Sequence, residues 1–315
     1  MSKILITGGT GFIGSNLIRQ LISSRNEIHS INKNLNNFWR ISDMTEKINV
    51  HNVDLIDKTS LEKTIKKINP DIVFHLAAYG INYLEKNFSE TLQTNLLGTY
   101  NLFSILSDQP LKRIVNVGSV FEYGLPITKR GFLETDCTNP LTLYGISKSA
   151  QTNLANFFYN SRSLPIVTLR LFTPYGMFEN KGRIVSDIMI SLVKKKKLII
   201  SSPKSTRDFI FIDDVVDALM KSSTAKNVNG KIFNIGLGKS VSVEEIIKIS
   251  KNLSDIELKI QTTKMHKRDY DLFGGKGHAE ILQAKKFLNW YPKYSIKQGL
   301  EKTFSWYKNN ISLYS

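Results

Sequence analysis

Ser119, Tyr144 and Lys148 are the residues whose types and spacing suggest chemistry. Ser119 closes an apolar run, "RIVNVGS" (113–119), and Tyr144 follows twenty-five residues later at the head of "YGISK". Tyr144 and Lys148 are four apart, so on a helix both project from one face. A tyrosine works as an acid or base near neutral pH only when its phenolate is favoured, and an ammonium one turn away favours it. A strand-end serine can donate to, or accept from, the same substrate oxygen. YxxxK by itself is also the pattern of a surface pair, and its weight here comes from what stands upstream. The residues after the serine are Val120 and Phe121, neither of which can move a proton. Glu122 comes one position later, and in extended chain it would point to the other side.

Upstream, "TGGTGFIG" places Gly8, Gly11 and Gly14 three apart, directly after a strand-like run and at the start of a helical one. A tight turn, backbone able to approach a pyrophosphate without Cβ, and a helix N-terminus aiming N–H groups at an anion together make a dinucleotide turn. With a dinucleotide in place, an oxidised nicotinamide would further favour the Tyr144 phenolate, and Lys148 could hold the nicotinamide ribose. The second strand ends at Asn32, followed by Lys33. A carboxylate there would accept from both ribose hydroxyls and repel a 2′-phosphate; Asn32 does neither well and Lys33 could welcome the phosphate. NAD and NADP therefore both stay open. Asp54, where a third strand ends, could accept from the adenine amino group or simply sit in a surface loop.

The elements that must position these groups alternate. Strand patterns at 3–7, 27–31, within 48–55, 71–78, 113–119 and 166–172 are separated by helical ones at 12–24, 60–68, 89–108 and 144–161. Ser60 opens the 60–68 helix. Such alternation implies parallel βαβ units, a doubly wound α/β sheet with helices on both faces. Beyond "TPYG" (173–176) the rhythm breaks into a smaller, mixed part over the strand ends. It holds a strand and helix in 207–223, a strand at 232–236, and a helix at 242–253 opened by Ser242 and Glu245. The expected division is a dinucleotide-binding Rossmann domain at 1–172 and a mainly substrate-binding domain at 173–315, with 207–236 returning to the first sheet.

At 315 residues, with 41% apolar and 22% charged residues, the chain has the balance of a soluble globular protein. No apolar run approaches the ~18 residues needed to span a bilayer. Cys137 is the single cysteine, so no intrachain disulfide or cysteine metal cluster forms, and a cytoplasmic location is the default. The formal charge of +16 is scattered, apart from Lys66–Lys67 and Lys194–Lys197. The second run reads as a solvated helix end before the strand in "LIISSP". There is no aromatic-interleaved basic stripe, so no nucleic-acid partner is expected. The five histidines lie far apart in sequence, His75 reads as a packed core residue, and no metal site is expected.

In sum these motifs resemble the extended short-chain dehydrogenase/reductases of the nucleotide-sugar epimerase/dehydratase type. "TGGTGFIG", "HLAAYG", "TNLLGT", "GSVFEYG", "YGISK", "RDFIFIDDV", "FNIG" and "LNWYP" fall in that family's order over nearly the whole chain. The resemblance implies a catalytic set of Ser119, Tyr144 and Lys148. It implies a cofactor site with Gly8, Gly11, Phe12, Ile13, Gly14, Asn32, Lys33, Asp54, Leu55, Leu76, Ala77, Ala78 and Asn95. On the substrate side it implies Tyr79, Ser119, Thr173, Arg183, Arg207 and Arg268, the last two meeting a diphosphate. Thr173 departs from the asparagine common in relatives. Relatives that eliminate water carry an acid after the serine, so Val120 and Phe121 argue against a 4,6-dehydratase. The function implied is hydride transfer at C4 of a nucleotide-diphosphate sugar, as a 4-ketoreductase or 4-dehydrogenase resembling the ketoreductase branch. A C4 epimerase uses the same residues and stays open; a non-catalytic cofactor-sensing or RNA-associated protein is the remote alternative. Surface-polysaccharide synthesis is the pathway the family suggests. Helices 89–108 and 144–161 carry broad apolar faces that pair into a homodimer in relatives, or else merely cover the sheet.

Overall fold

Short β-branched runs, buried on both faces, assemble into one parallel sheet. The computed structural model describes residues 1–34, 38–81, 87–126, 129–254, 258–263 and 277–314. The chain opens with β1 (Lys3–Thr7), α1 (Phe12–Leu21), β2 (Glu27–Asn32), β3 (Asn49–Asn52), α2 (Lys58–Ile68) and β4 (Ile72–His75). Next come α3 (Phe88–Leu92), a π-helical stretch Gln93–Leu97, α4 (Gly98–Leu106), β5 (Arg113–Ser119), α5 (Leu143–Arg162) and β6 (Ile166–Leu171). With β11 (Ile232–Ile235) the strands form a seven-stranded sheet in the order β11-β6-β5-β4-β1-β2-β3, every pair parallel. That is the doubly wound Rossmann arrangement, with the strand order reversing between β1 and β4.

The two faces bury separate cores. Leu61 and Ile65 of α2, Leu102 and Phe103 of α4 and Phe158 of α5 pack on one side. On the other, Leu17 and Ile18 of α1 meet Val215 and Leu219 of α7 (Ile212–Thr224). α2 starts two residues before Ser60: Asp57 is its N-cap, its Oδ1 accepting from the Ser60 N–H at 3.1 Å. A carboxylate placed at the helix start outcompetes a hydroxyl one turn inside.

The C-terminal part is built from small pieces. β7 (Thr173–Tyr175) pairs in parallel with β10 (Phe209–Phe211), and β9 (Thr206–Arg207) runs antiparallel to β12 (Val241–Ser242). β8 (Leu198–Ile200) pairs with β13 (Ile260–Thr262). Of 207–236, only β11 joins the large sheet as a strand, while α7 packs against it. α6 (Ile184–Val193) ends at the Lys194–Lys197 run, as a helix C-terminus that attracts cations should. α8 (Val243–Lys251) is capped by Ser242, whose Oγ accepts from the Glu245 N–H at 3.1 Å.

Two expectations about histidine resolve differently. His75 is fully buried, with Nδ1 2.8 Å from Thr7 Oγ1 and Nε2 2.8 Å from Thr99 Oγ1, and burial pushes its pKa down to about 3. His29 and His51, far apart in sequence, stack with ring centroids 5.3 Å apart, because the β2–β3 pairing brings them together. Among the described residues no group of three His, Cys, Asp or Glu side chains is placed to hold a metal ion. Among the same residues, no helix is long and apolar enough to cross a membrane. The outer side of the 88–106 and α5 helices exposes Leu92, Leu97, Tyr100, Ile146 and Phe157.

Candidate active site

The carboxyl ends of β1, β4, β5 and β6 face the C-terminal part across a cavity of about 410 Å³. Open α/β sheets bind ligands in this crevice, where the strand order reverses. Of the residues singled out in the sequence, it collects Gly11, Phe12, Ile13, Leu76, Ala78, Ser119, Tyr144, Lys148, Thr173, Arg183 and Arg207. Arg268 lies outside the described residues.

The glycine turn has the shape an anion needs. Gly8 holds φ +75°, and a Cβ there would lie 2.8 Å from the Ala77 Cα, so the end of β4 closes directly on the turn. Gly11 is the N-cap of α1 and no side chain caps that helix. The helix start is thereby left to a ligand, which is what a bound pyrophosphate requires. These residues fit a nicotinamide dinucleotide, the cofactor class their pattern suggests.

Other predicted cofactor residues act behind the wall. Asn32 is buried at 4% exposure, its Oδ1 accepting from the Thr10 N–H at 3.0 Å and its Nδ2 donating to Ser30 Oγ at 2.9 Å. It braces the glycine turn from below. Leu55 is a core residue whose carbonyl accepts from Asn101 Nδ2 at 3.0 Å. Asn95 clasps the Tyr79 backbone with two 2.8 Å bonds, and its Nδ2 donates to Ser147 Oγ at 2.9 Å. Asn95 thus ties the post-β4 loop to α5, and neither it nor Tyr79 lines the cavity. Lys33 forms ion pairs with Asp54 and Glu90.

Ser119 ends β5 and at once becomes the N-cap of a single 3₁₀ turn, Val120–Glu122. Its Oγ accepts from the Phe121 N–H at 3.3 Å, while its own N–H donates to Glu122 Oε1 at 2.7 Å. This is a capping box, S-x-x-E, and it explains the glutamate. Glu122 does not point away along an extended strand; it folds back beneath Ser119, fully buried, with Oε2 accepting from Arg170 Nε at 2.8 Å. Gly118 makes this possible, since a Cβ there would meet Glu122 Oε1 at 2.4 Å. Glu122 is absent from the cavity wall, Val120 is fully buried, and Phe121 lines the cavity with its ring edge-on to Tyr144, centroids 5.8 Å apart.

Tyr144 and Lys148 project from the first turns of α5, whose N-cap Thr142 accepts from the Gly145 N–H at 3.0 Å. Lys148 is 2% exposed. Burial pushes its ammonium down to about 8, with the Glu122 carboxylate holding it up against that effect. Its Nζ donates to Gln151 Oε1 at 2.6 Å, and Gln151 Nε2 donates to Asn116 Oδ1 at 2.6 Å. Sequence reasoning missed this support. Gln151 sits one turn beyond Lys148, which is the signal that would have found it.

The far wall joins the expected Arg183 and Arg207 with two residues that no motif announced, Arg40 and Glu179. Arg40 lines the cavity; its Nε donates to the Phe178 carbonyl at 2.8 Å and its guanidinium also bonds Asn180. Glu179 is buried, and burial pushes its carboxyl up to about 7 although Arg183 Nε lies 3.3 Å away. Arg207 is 6% exposed, held by Ser205 Oγ at 2.6 Å and the Thr206 carbonyl at 2.8 Å.

This architecture has close counterparts. A UDP-glucuronate 4-epimerase of Thermodesulfobacterium geofontis is 28% identical, the match covering 99% of this chain and 98% of that protein. A dTDP-glucose 4,6-dehydratase of Haemophilus influenzae is 27% identical over 99% of both chains. The crystal structure of UDP-glucuronic acid 4-epimerase from Bacillus cereus, in complex with UDP-glucuronic acid and NAD, superposes with a TM-score of 0.87. It is 25% identical, covering 98% of this chain and 99% of that one. The model of the NAD dependent epimerase/dehydratase family matches residues 4–236, from the first strand through β11, and the chain belongs to that family.

Proposed function

We propose that the protein is a nucleotide-sugar 4-epimerase that moves hydride off C4 and returns it to the opposite face, retaining its cofactor. The observation that carries this reading is the meeting of Ser119, Tyr144 and Lys148 on one cavity wall, with no acid in the two positions after the serine. NAD, when bound, supplies the acceptor and donor of the hydride. Tyr144 takes the proton from the C4 hydroxyl as hydride leaves and gives it back as hydride returns. Lys148, held by Gln151, favours the phenolate form. Ser119 bonds the same sugar oxygen and fixes its position. Eliminating water would need a further acid and base; Val120 and Phe121 offer none and Glu122 is committed to its capping box.

The C-terminal part, 173–315, supplies most of the substrate contacts, and 1–172 holds the cofactor and the catalytic set. Thr173 and Arg183 face the sugar side, and Arg207 suits a diphosphate, a role Arg268 would share. Full-length likeness to UDP-sugar 4-epimerases supports the epimerase over a one-way ketoreductase or dehydrogenase. Exposed Leu92, Leu97, Tyr100 and Phe157 on adjacent helices suit a homodimer, their apolar faces meeting those of a second copy. A reducing cytoplasmic setting fits both the substrate class and the free, exposed Cys137.

The test is to denature the purified protein, identify released dinucleotide by mass spectrometry, then incubate native protein with UDP-glucuronic acid and, separately, UDP-glucose. Retained NAD, with conversion to the C4 epimer and no net NADH, supports the reading. Stoichiometric consumption of added NAD(P)H by a 4-keto sugar would replace it with the ketoreductase.

A further inference from the structure

A dinucleotide site reads the adenosine ribose at the end of the second strand, usually with an acid. That acid is missing here, and Asn32 does not stand in for it: it is buried, its Oδ1 accepting from the Thr10 N–H and its Nδ2 donating to Ser30 Oγ. The next side chain outward is Lys33, about half exposed. A cation just past this strand is the group that would accommodate the 2′-phosphate of NADP. Lys33 is not available for that. Its Nζ lies 3.2 Å from Asp54 Oδ2 and 3.3 Å from Glu90 Oε1.

The three charges come from separate stretches of chain. Asp54 follows β3, its other oxygen accepting from the Ile56 N–H at 3.1 Å. Glu90 stands in the first turn of α3, its own N–H donating to Asn87 Oδ1 at 3.1 Å. One cation against two carboxylates leaves the cluster with a net charge of −1. Burial works against the Lys33 ammonium, yet the two carboxylates hold it above the ordinary lysine value.

We infer that Asp54 and Glu90 together replace the missing strand-end acid: they occupy Lys33 and leave net negative charge beyond the end of β2, and so are the residues by which this chain excludes the 2′-phosphate of NADP. The inference rests on the dinucleotide site proposed above. Glu90 is its distinctive member, since it reaches the ribose end from a helix that follows β4. Removing one unit charge ~6 Å from a phosphate dianion in a water-exposed site changes affinity by about tenfold. Salt weakens an exposed interaction of this kind.

The experiment strips copurified dinucleotide and titrates NAD⁺ and NADP⁺ separately by calorimetry, at low and high salt. It compares the natural protein, Glu90→Gln and the double variant Glu90→Gln/Lys33→Gln. The natural protein should favour NAD⁺. Glu90→Gln should raise NADP⁺ affinity relative to NAD⁺ by about tenfold, the double variant should lose that gain, and high salt should shrink it. An unchanged affinity ratio in Glu90→Gln, a salt-independent ratio, or equal affinities in the natural protein would overturn the assignment. Absence of NAD⁺ binding by the natural protein would overturn the functional reading itself, a result distinct from an unchanged ratio.

Discussion

Replacing Glu122 separates a structural carboxylate from a catalytic one. Glu122 is fully buried and holds two partners: the Ser119 N–H at 2.7 Å and Arg170 Nε at 2.8 Å. In Glu122→Ala the Arg170 guanidinium, itself 4% exposed, keeps only Tyr123 Oη at 2.9 Å and the Glu134 carbonyl at 3.2 Å. Breaking a buried pair by removing one partner costs about 3–5 kcal/mol, and the orphaned Ser119 N–H adds ~1 kcal/mol or more. Glu122→Gln keeps an acceptor for the Ser119 N–H but loses the charge and turns its NH₂ toward Arg170 Nε, so roughly 2–3 kcal/mol is expected. At about 2 °C per kcal/mol for a chain of this size, the melting temperature should fall by roughly 4–6 °C in Glu122→Gln and 8–12 °C in Glu122→Ala. Turnover by Glu122→Gln, measured well below its melting temperature, should stay within about threefold of the natural protein, because a group absent from the cavity moves no substrate proton. The alkaline limb of its rate profile should move to lower pH, since Glu122 is the charge that supports the Lys148 ammonium. A fall in kcat of about a hundredfold or more with an unchanged melting temperature would refute the structural role, and would make Glu122 an acid or base.

Tyr144→Phe should lower kcat by about 10²–10⁴ while NAD⁺ still binds in calorimetry; loss of binding as well would point to a collapsed site. Glu179 titrates near 7 when folded against 4.5 as its ordinary value, so the folded chain binds the extra proton and this group's contribution to stability is lost as pH rises through 7. Glu179→Gln should therefore be more stable than the natural protein at pH 8, by about 1–3 kcal/mol in urea unfolding, with the gain gone by pH 4.5. Asp208 is buried and accepts from the N–H groups of Leu237 at 2.6 Å, Gly238 at 3.0 Å and Ala279 at 2.9 Å. Asp208→Asn turns an amide NH₂ toward those donors and should cost about 2–3 kcal/mol, read as a lowered melting temperature. Leu97→Asp, on the exposed helix face, should convert a dimer to a monomer in light scattering; an unchanged mass would move the interface elsewhere.

What sequence could reveal followed the range of the interactions involved. Ser119, Tyr144, Lys148 and the glycine turn were legible because each role depends on a few consecutive residues in a known local geometry. The capping box at Ser119 and Glu122 has the same spacing as Ser242 and Glu245, yet only the second pair was recognised. The strand running into Ser119 masked the first. Groups recruited across the fold were not legible. Glu90 reaches Lys33 from 57 positions away, and Arg40 reaches Phe178 from 138. The His29–His51 stack needs the β2–β3 register, which no local pattern supplies. Position in the motif marks Asn32 and Leu55 but not how deeply they sit: both are buried, Asn32 beneath the glycine turn and Leu55 in the core.

The late arrival of β11 sets a condition on how the chain is made. Once residue 171 has been synthesised, six of the seven strands exist and can pair, but β11, the outer partner of β6, does not begin until residue 232. During that interval β6, buried along its whole length in the finished protein, presents an unpaired edge able to template foreign strands. At ribosomal speeds of roughly 5–20 residues per second the interval lasts about 3–12 s, long compared with the microseconds in which a strand pair forms. Nascent chains arrested between these points should be the aggregation-prone species in the cell, and the ones a holding chaperone would meet.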